Sequence, residues 1–158
     1  MNIQVVRRLL SQSDDQSVKA LLRDEETVFW VDWQQEEETI ADDCETILKT
    51  GSLAGELVEL DRDEGYEVYF RYLDRRAKVP LTYSRDDRHI GLLALNEILR
   101  PDFEIRFCTD SAGADMLAFL PLPVSQWSAL EEQFGDAVSR HFRRITPKPN
   151  LFTDPLET

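Results

Sequence analysis

Apolar residues follow two rhythms along the chain, and the switches between them mark its elements. Val5, Val6, Leu9 and Leu10, then Val18, Leu21 and Leu22, recur at helical spacing, whereas residues 27–33 are β-branched and aromatic and predict a strand. Over residues 35–50 the positions Ile40, Ala41, Cys44, Ile47 and Leu48 form one stripe in an otherwise acidic segment that Gly51 stops, the pattern of a surface amphipathic helix. Three strands are expected next, at 56–60, 66–73 and 78–83. Tyr66, Val68, Phe70 and Tyr72 share one face of the second, and Val79, Leu81 and Tyr83 share one face of the third.

Ser84 and Asp87 approximate a capping box for a helix whose positions Ile90, Leu92, Leu93, Leu95, Ile98 and Leu99 are nearly all apolar, and Pro101 ends it. Phe103, Ile105 and Phe107 alternate with Glu104, Arg106 and Cys108, residues 110–115 supply a turn, and 116–122 read as the next strand. A last helix starts near Ser125 with Trp127, Leu130 and Phe134 on one side, so Trp127 is expected to anchor it in the core. Past Gly135 it resumes through Val138, Phe142 and Ile145.

Strands joined by hairpin-length connections and separated by helices imply an α+β domain with a mainly antiparallel sheet of about five to six strands, rather than a doubly wound parallel one. Residues 1–145 show no repeat and no internal boundary, so they read as a single domain. Residues 146–158 carry three prolines and are expected to be an extended tail, loose or laid across the domain through Leu151 and Phe152. The longest uninterrupted apolar stretch, 116–124, is nine residues and contains Pro121 and Pro123, far short of the roughly 20 needed to cross a bilayer. Arg7, Arg8 and the polar run that follows leave no signal-peptide core, which predicts a cytoplasmic protein. Cys44 and Cys108 are too few for a disulfide framework and are expected to be reduced and buried.

Charge sharpens the picture. The 158 residues carry 31 acids against 18 Lys and Arg, a formal net charge of −13, which removes direct nucleic-acid binding through a basic surface as a default. Residues 24–64 hold fifteen acids against only Lys49 and Arg62, so the whole excess sits in about a quarter of the chain, the other residues being balanced. A solvated helix face explains a few such acids. A block this dense repels itself, and a basic protein partner would turn that repulsion into steering and complementary contacts. The residues expected to make those contacts are Glu36, Glu37, Glu38, Asp42, Asp43 and Glu45 on the acidic helix, with Asp61, Asp63 and Glu64 in the turn between the first two strands of the meander. On the helix, Glu38, Asp42 and Glu45 line one outward flank.

Catalytic chemistry finds little to use. His89 reads as part of an exposed polar first turn, and His141, among Arg140, Arg143 and Arg144, sits where an imidazolium is disfavoured and no carboxylate is expected to orient a neutral ring, so it reads as structural or surface. The acidic turn before Tyr66 lacks the later oxygen ligands of a calcium loop, and none of the phosphate-, dinucleotide-, zinc- or serine-hydrolase motifs occurs. No cofactor, metal or catalytic residue is expected. A small enzyme with an unrecognised site, or an acidic adaptor or DNA-mimic regulator, is the alternative to the reading reached below.

Three segments carry a family resemblance. Val28-Phe29-Trp30-Val31-Asp32-Trp33, Ile98-Leu99-Arg100-Pro101-Asp102-Phe103-Glu104-Ile105-Arg106 and the stretch from Phe119 through Pro121, Pro123 and Trp127 to Gly135 resemble small cytosolic bacterial immunity proteins encoded beside polymorphic or type VI secreted toxins. The nearest are those paired with nuclease toxins. The resemblance implies a stoichiometric inhibitor with no catalytic residues, whose partner is the cognate toxin.

Overall fold

The computed structural model describes residues 1–61 and 65–156. Its elements are α1 (Ile3–Gln12), α2 (Asp15–Leu22), β1 (Phe29–Asp32), α3 (Glu37–Leu48), β2 (Ala54–Glu59), β3 (Tyr66–Tyr72), β4 (Arg75–Lys78), α4 (Asp87–Leu99), β5 (Phe103–Cys108), a 3₁₀ turn (Thr109–Ser111), β6 (Met116–Pro123), α5 (Val124–Phe134), α6 (Asp136–His141) and β7 (Phe142–Arg144). The fold is α+β and every strand pair is antiparallel. The strands divide between two sheets, one of four in the order β1-β6-β5-β7 and one of three in the order β2-β3-β4.

Alternation along the four-stranded sheet separates two cores. Phe29, Val31, Ile105, Phe107, Leu117 and Phe119 face α3, α4 and the Val68, Phe70 and Tyr72 side of the smaller sheet. Val28, Cys108, Ala118, Leu120, Leu122 and Phe142 face the terminal helices through Val6, Leu9, Leu21, Trp127 and Leu130. The layers therefore run helices, sheet, α3 with α4, sheet. Strand β6 lies between both cores, which is why its sequence is an unbroken apolar run rather than an alternating one. Each fully buried Leu or Phe there contributes about 1.5–3 kcal/mol of transfer free energy.

Local chemistry sets the boundaries, and in three places it moves them from the sequence expectation. The third strand of the meander is Arg75–Lys78 rather than 78–83, because Leu73, at φ 57°, turns the chain tightly enough for Arg75 to pair with Tyr72 at once. Val79 still bonds Val68, but Pro80 has no N–H to continue the ladder. Helix α4 begins at Asp87 without a side-chain cap from Asp86. The buried Asp87 carboxylate keeps half of the expected box by accepting the Ser84 N–H at 3.3 Å, while Ser84 Oγ accepts from the Asp86 N–H, and it also gathers the Thr82 and Tyr83 N–H groups, each at 2.8 Å, together with the Thr82 hydroxyl. The final helix does not resume as far as Ile145: α6 ends at His141, and Phe142–Arg144 pairs with β5 as the edge strand β7.

The proline-rich tail is laid across the domain as far as residue 156. Leu151 is buried, and the Phe152 ring packs 6.3 Å from that of Phe119. His89 holds this segment. It is buried, not part of an exposed turn: one ring nitrogen lies 2.8 Å from the Thr146 carbonyl, and the other accepts the Leu151 N–H at 3.3 Å. Burial keeps its pKa below the ordinary 6.5, although the Thr146 carbonyl and the nearby Asp154 and Asp86 act in the opposite sense. The unfolded chain therefore takes up a proton near pH 6.5 that folded His89 still resists. Stability from this latch is complete above that value and declines as the pH falls toward the depressed folded value. Protection of the Leu151 amide against hydrogen exchange, corrected for intrinsic rates, should fall between about pH 7.5 and about pH 5 in the wild type and stay flat in His89→Gln. Equal pH dependence in both proteins would remove His89 as the latch.

Candidate functional site

Helix α3 buries Ile40, Ala41, Cys44 and Ile47, as its stripe predicts, and presses its first turn onto β2. The approach is close enough that a Cβ on Gly55 would overlap the Glu38 main chain. The Gly55 N–H also donates to Asp42 Oδ1 at 3.3 Å. Residues Gly55, Leu57 and Glu59 pair in register with Phe70, Val68 and Tyr66, so all six belong to the face that α3 and α4 cover. Beyond the first turn of α3 that cover ends, and Leu57 is left 47 % exposed. The result is a cleft of about 320 Å³ lined by Glu36, Glu37, Glu38, Leu57, Glu59, Leu60, Gly65 and Tyr66.

The structure sorts the predicted acids. Glu36 is exposed at the cleft mouth and Glu38 is half-buried in its wall. Glu37 is not a surface acid: its side chain is 4 % exposed and paired with Arg88 at 2.8 Å. Asp43 is partly buried and accepts from Gln35 Nε2 at 2.7 Å. Glu45 does not extend an outward binding flank but terminates its own helix, accepting the Thr50 hydroxyl at 2.5 Å and the Gly51 N–H at 2.7 Å. Asp42 and Asp61 are exposed, and Asp63 and Glu64 lie outside the described residues.

Sequence reasoning missed Glu59, Leu57 and Tyr66. Their signal was the two-residue period of β2 and β3, which puts a carboxylate and two apolar groups on one face.

Electrostatics mark the cleft as a place where carboxylates are held at a cost. Burial pushes the Glu37 pKa up despite Arg88, and burial together with the neighbouring Glu36 carboxyl pushes Glu38 up. Asp43 is raised by burial against the opposing Gln35 hydrogen bond. Among the described residues, the one ion pair made by the four cleft acids is that of Glu37 with Arg88. A cation entering beside Glu36, Glu38 and Glu59 would relieve that cost.

Other chemistry is limited. Cys44 and Cys108 are free and buried, and burial raises both thiols well above their ordinary range, so neither is a reactive thiolate. Among the described residues no group of three or more His, Cys, Asp or Glu could hold a metal ion, and no helix is long and apolar enough to cross a membrane.

His141 does have an orienting carboxylate, from a segment distant in sequence. Asp110 Oδ2 lies 2.8 Å from its Nδ1, and Ser13 Oγ lies 3.1 Å from its Nε2. This is the connectivity of a serine-hydrolase relay. The Ser13 hydroxyl, however, is also 3.2 Å from the Leu9 carbonyl of the turn it caps, which competes with His141 for its single proton. Comparison with protein-family models, curated proteins and solved structures finds no match for the chain.

Proposed function

We propose that this chain is a cytoplasmic, non-catalytic immunity protein: a stoichiometric inhibitor that binds a basic secreted toxin, of the nucleic-acid-handling kind, through the acidic cleft and the exposed acids around it. The observation that carries the reading is the uncovered end of the β2–β3 face, an apolar floor of Leu57 and Tyr66 walled by Glu36, Glu38 and Glu59. A Lys or Arg side chain matches both parts, its stem lying on the floor and its head among carboxylates. A surface built to grip phosphate presents such side chains in number. A cation in the cleft favours the charged carboxylates, against the burial that raises the Glu37 and Glu38 pKa values. The surrounding net charge adds long-range steering.

The test is co-expression with the product of the adjoining gene. Growth rescue with a copurifying one-to-one complex supports inhibition. A complex with an unrelated basic host protein instead supports the adaptor or DNA-mimic alternative. The enzymatic reading has one specific observation in its favour, the Ser13–His141–Asp110 relay. It predicts that a fluorophosphonate probe labels Ser13, and that Ser13→Ala or His141→Ala abolishes labelling. The inhibitor reading expects no labelling, with the relay serving to tie α1 and α6 to the 3₁₀ turn.

A further inference from the structure

Besides the acidic cleft, the surface carries a second concavity, at the opposite end of the segment joining β1 to α3. Trp33 follows the end of β1 with 51 % of its surface exposed. A groove of about 580 Å³ is lined by Trp33 and Leu117, by the small residues Ala112, Gly113 and Ala114, and by the tail residues Phe152 and Leu156. The tail thus forms a wall, and the His89 latch fixes that wall in place. The charged side chains lining the groove are Asp115 and Asp154, both exposed. Among the described residues, no Lys or Arg lines it.

We infer that this groove docks an apolar side chain of the same basic partner, flanked there by Lys or Arg residues, with Trp33 as the anchor of the interface. The inference rests on the partner-binding reading above and adds the source of affinity. Exposed carboxylates accelerate encounter, but a complex that lasts needs a desolvated centre, and Trp is among the residue types that most often supply it. The acidic rim selects the occupant. A second copy of this chain would bring another formal charge of −13 to an already acidic surface, and an acidic peptide would meet the same repulsion.

Synthetic peptides test the chemistry without the natural partner. The probes are Lys-Lys-Leu-Phe-Leu-Lys-Lys, its polar counterpart Lys-Lys-Gly-Ser-Gly-Lys-Lys and the charge-reversed Glu-Glu-Leu-Phe-Leu-Glu-Glu, titrated into the full chain and followed by its backbone amide NMR spectrum, with the Trp33 indole signal as an added reporter in the wild type. The basic apolar peptide should shift that signal and bind at least tenfold more tightly than either control. Trp33→Ala should abolish that advantage while leaving the fold's spectrum unchanged, since the side chain is half in solvent.

If both basic peptides bind equally and Trp33→Ala changes nothing, the groove inference fails while the acidic-surface reading stands. If neither basic peptide binds, both fail. Equal binding of the acidic apolar peptide overturns the charge argument. Self-association in sedimentation that Trp33→Ala removes would identify a second copy as the occupant and overturn the inference.

Discussion

Trp127→Ala should destabilise the protein by about 3–5 kcal/mol, the range for removing a large aromatic from a packed core. The ring is 1 % exposed and meets Phe142 edge-on at 5.5 Å. Its Nε1–H donates to the Glu104 carbonyl at 2.8 Å, and the Arg106 guanidinium lies over its face at 4.3 Å. That last contact raises the cost. Arg106 is itself buried, and its Nε has no hydrogen-bond partner, so the ring face is what that part of the cation has in place of water. The other end of Arg106 bonds Glu131 at 2.5 Å and holds that carboxyl below the ordinary glutamate range. Trp127→Phe should retain most of the packing and lose only the hydrogen bond and part of the cation–π contact, costing about 1–2 kcal/mol. Chemical denaturation of the three proteins checks this. A loss below about 1 kcal/mol for the alanine variant would mean that the α5 anchor lies elsewhere.

Gly55→Ala should be the most damaging single-methyl addition in the chain. The new Cβ would overlap the carbonyl of Glu38, a backbone group that cannot rotate away, so β2 and the first turn of α3 must separate. Overpacking of this kind costs about 1–3 kcal/mol, and here the displaced elements are the two walls of the cleft. Gly91→Ala is the matched control. Its Cβ would meet Ile40 at 3.6 Å, an ordinary contact, and it adds a helix-favouring residue inside α4. Denaturation midpoints should therefore fall for Gly55→Ala and hold or rise for Gly91→Ala. Equal midpoints would show that β2 does not bear on α3 as closely as described.

These positions show what sequence could and could not reveal. The stripe Ile40, Ala41, Cys44, Ile47 is legible because helix period alone decides it, and Trp127 is legible for the same reason. The double burial of β6 is legible only as an apolar run, since which layers flank it depends on helices at both ends of the chain. Glu37 looks like its neighbours Glu36 and Glu38 until Arg88, 51 residues away, covers it. His89 and His141 look idle because their partners, Thr146 with Leu151 and Asp110 with Ser13, come from distant segments. The cleft floor was hidden for a related reason: alternation identifies the apolar face of β2 and β3, but where α3 stops covering that face follows from how the second sheet sits on the helix pair.

The central claim is that this surface recruits a basic protein by charge. Its most direct test is the association rate of the adjoining gene's product with the wild type and with the triple variant Glu36→Lys, Glu59→Lys, Asp61→Lys, measured at low and high salt. All three side chains are exposed, so each substitution should change stability by no more than about 0.5 kcal/mol. The account predicts association at least about tenfold slower for the variant at low salt, with a shallower salt dependence. An unchanged rate and an unchanged salt slope, in a variant that melts like the wild type, would contradict it.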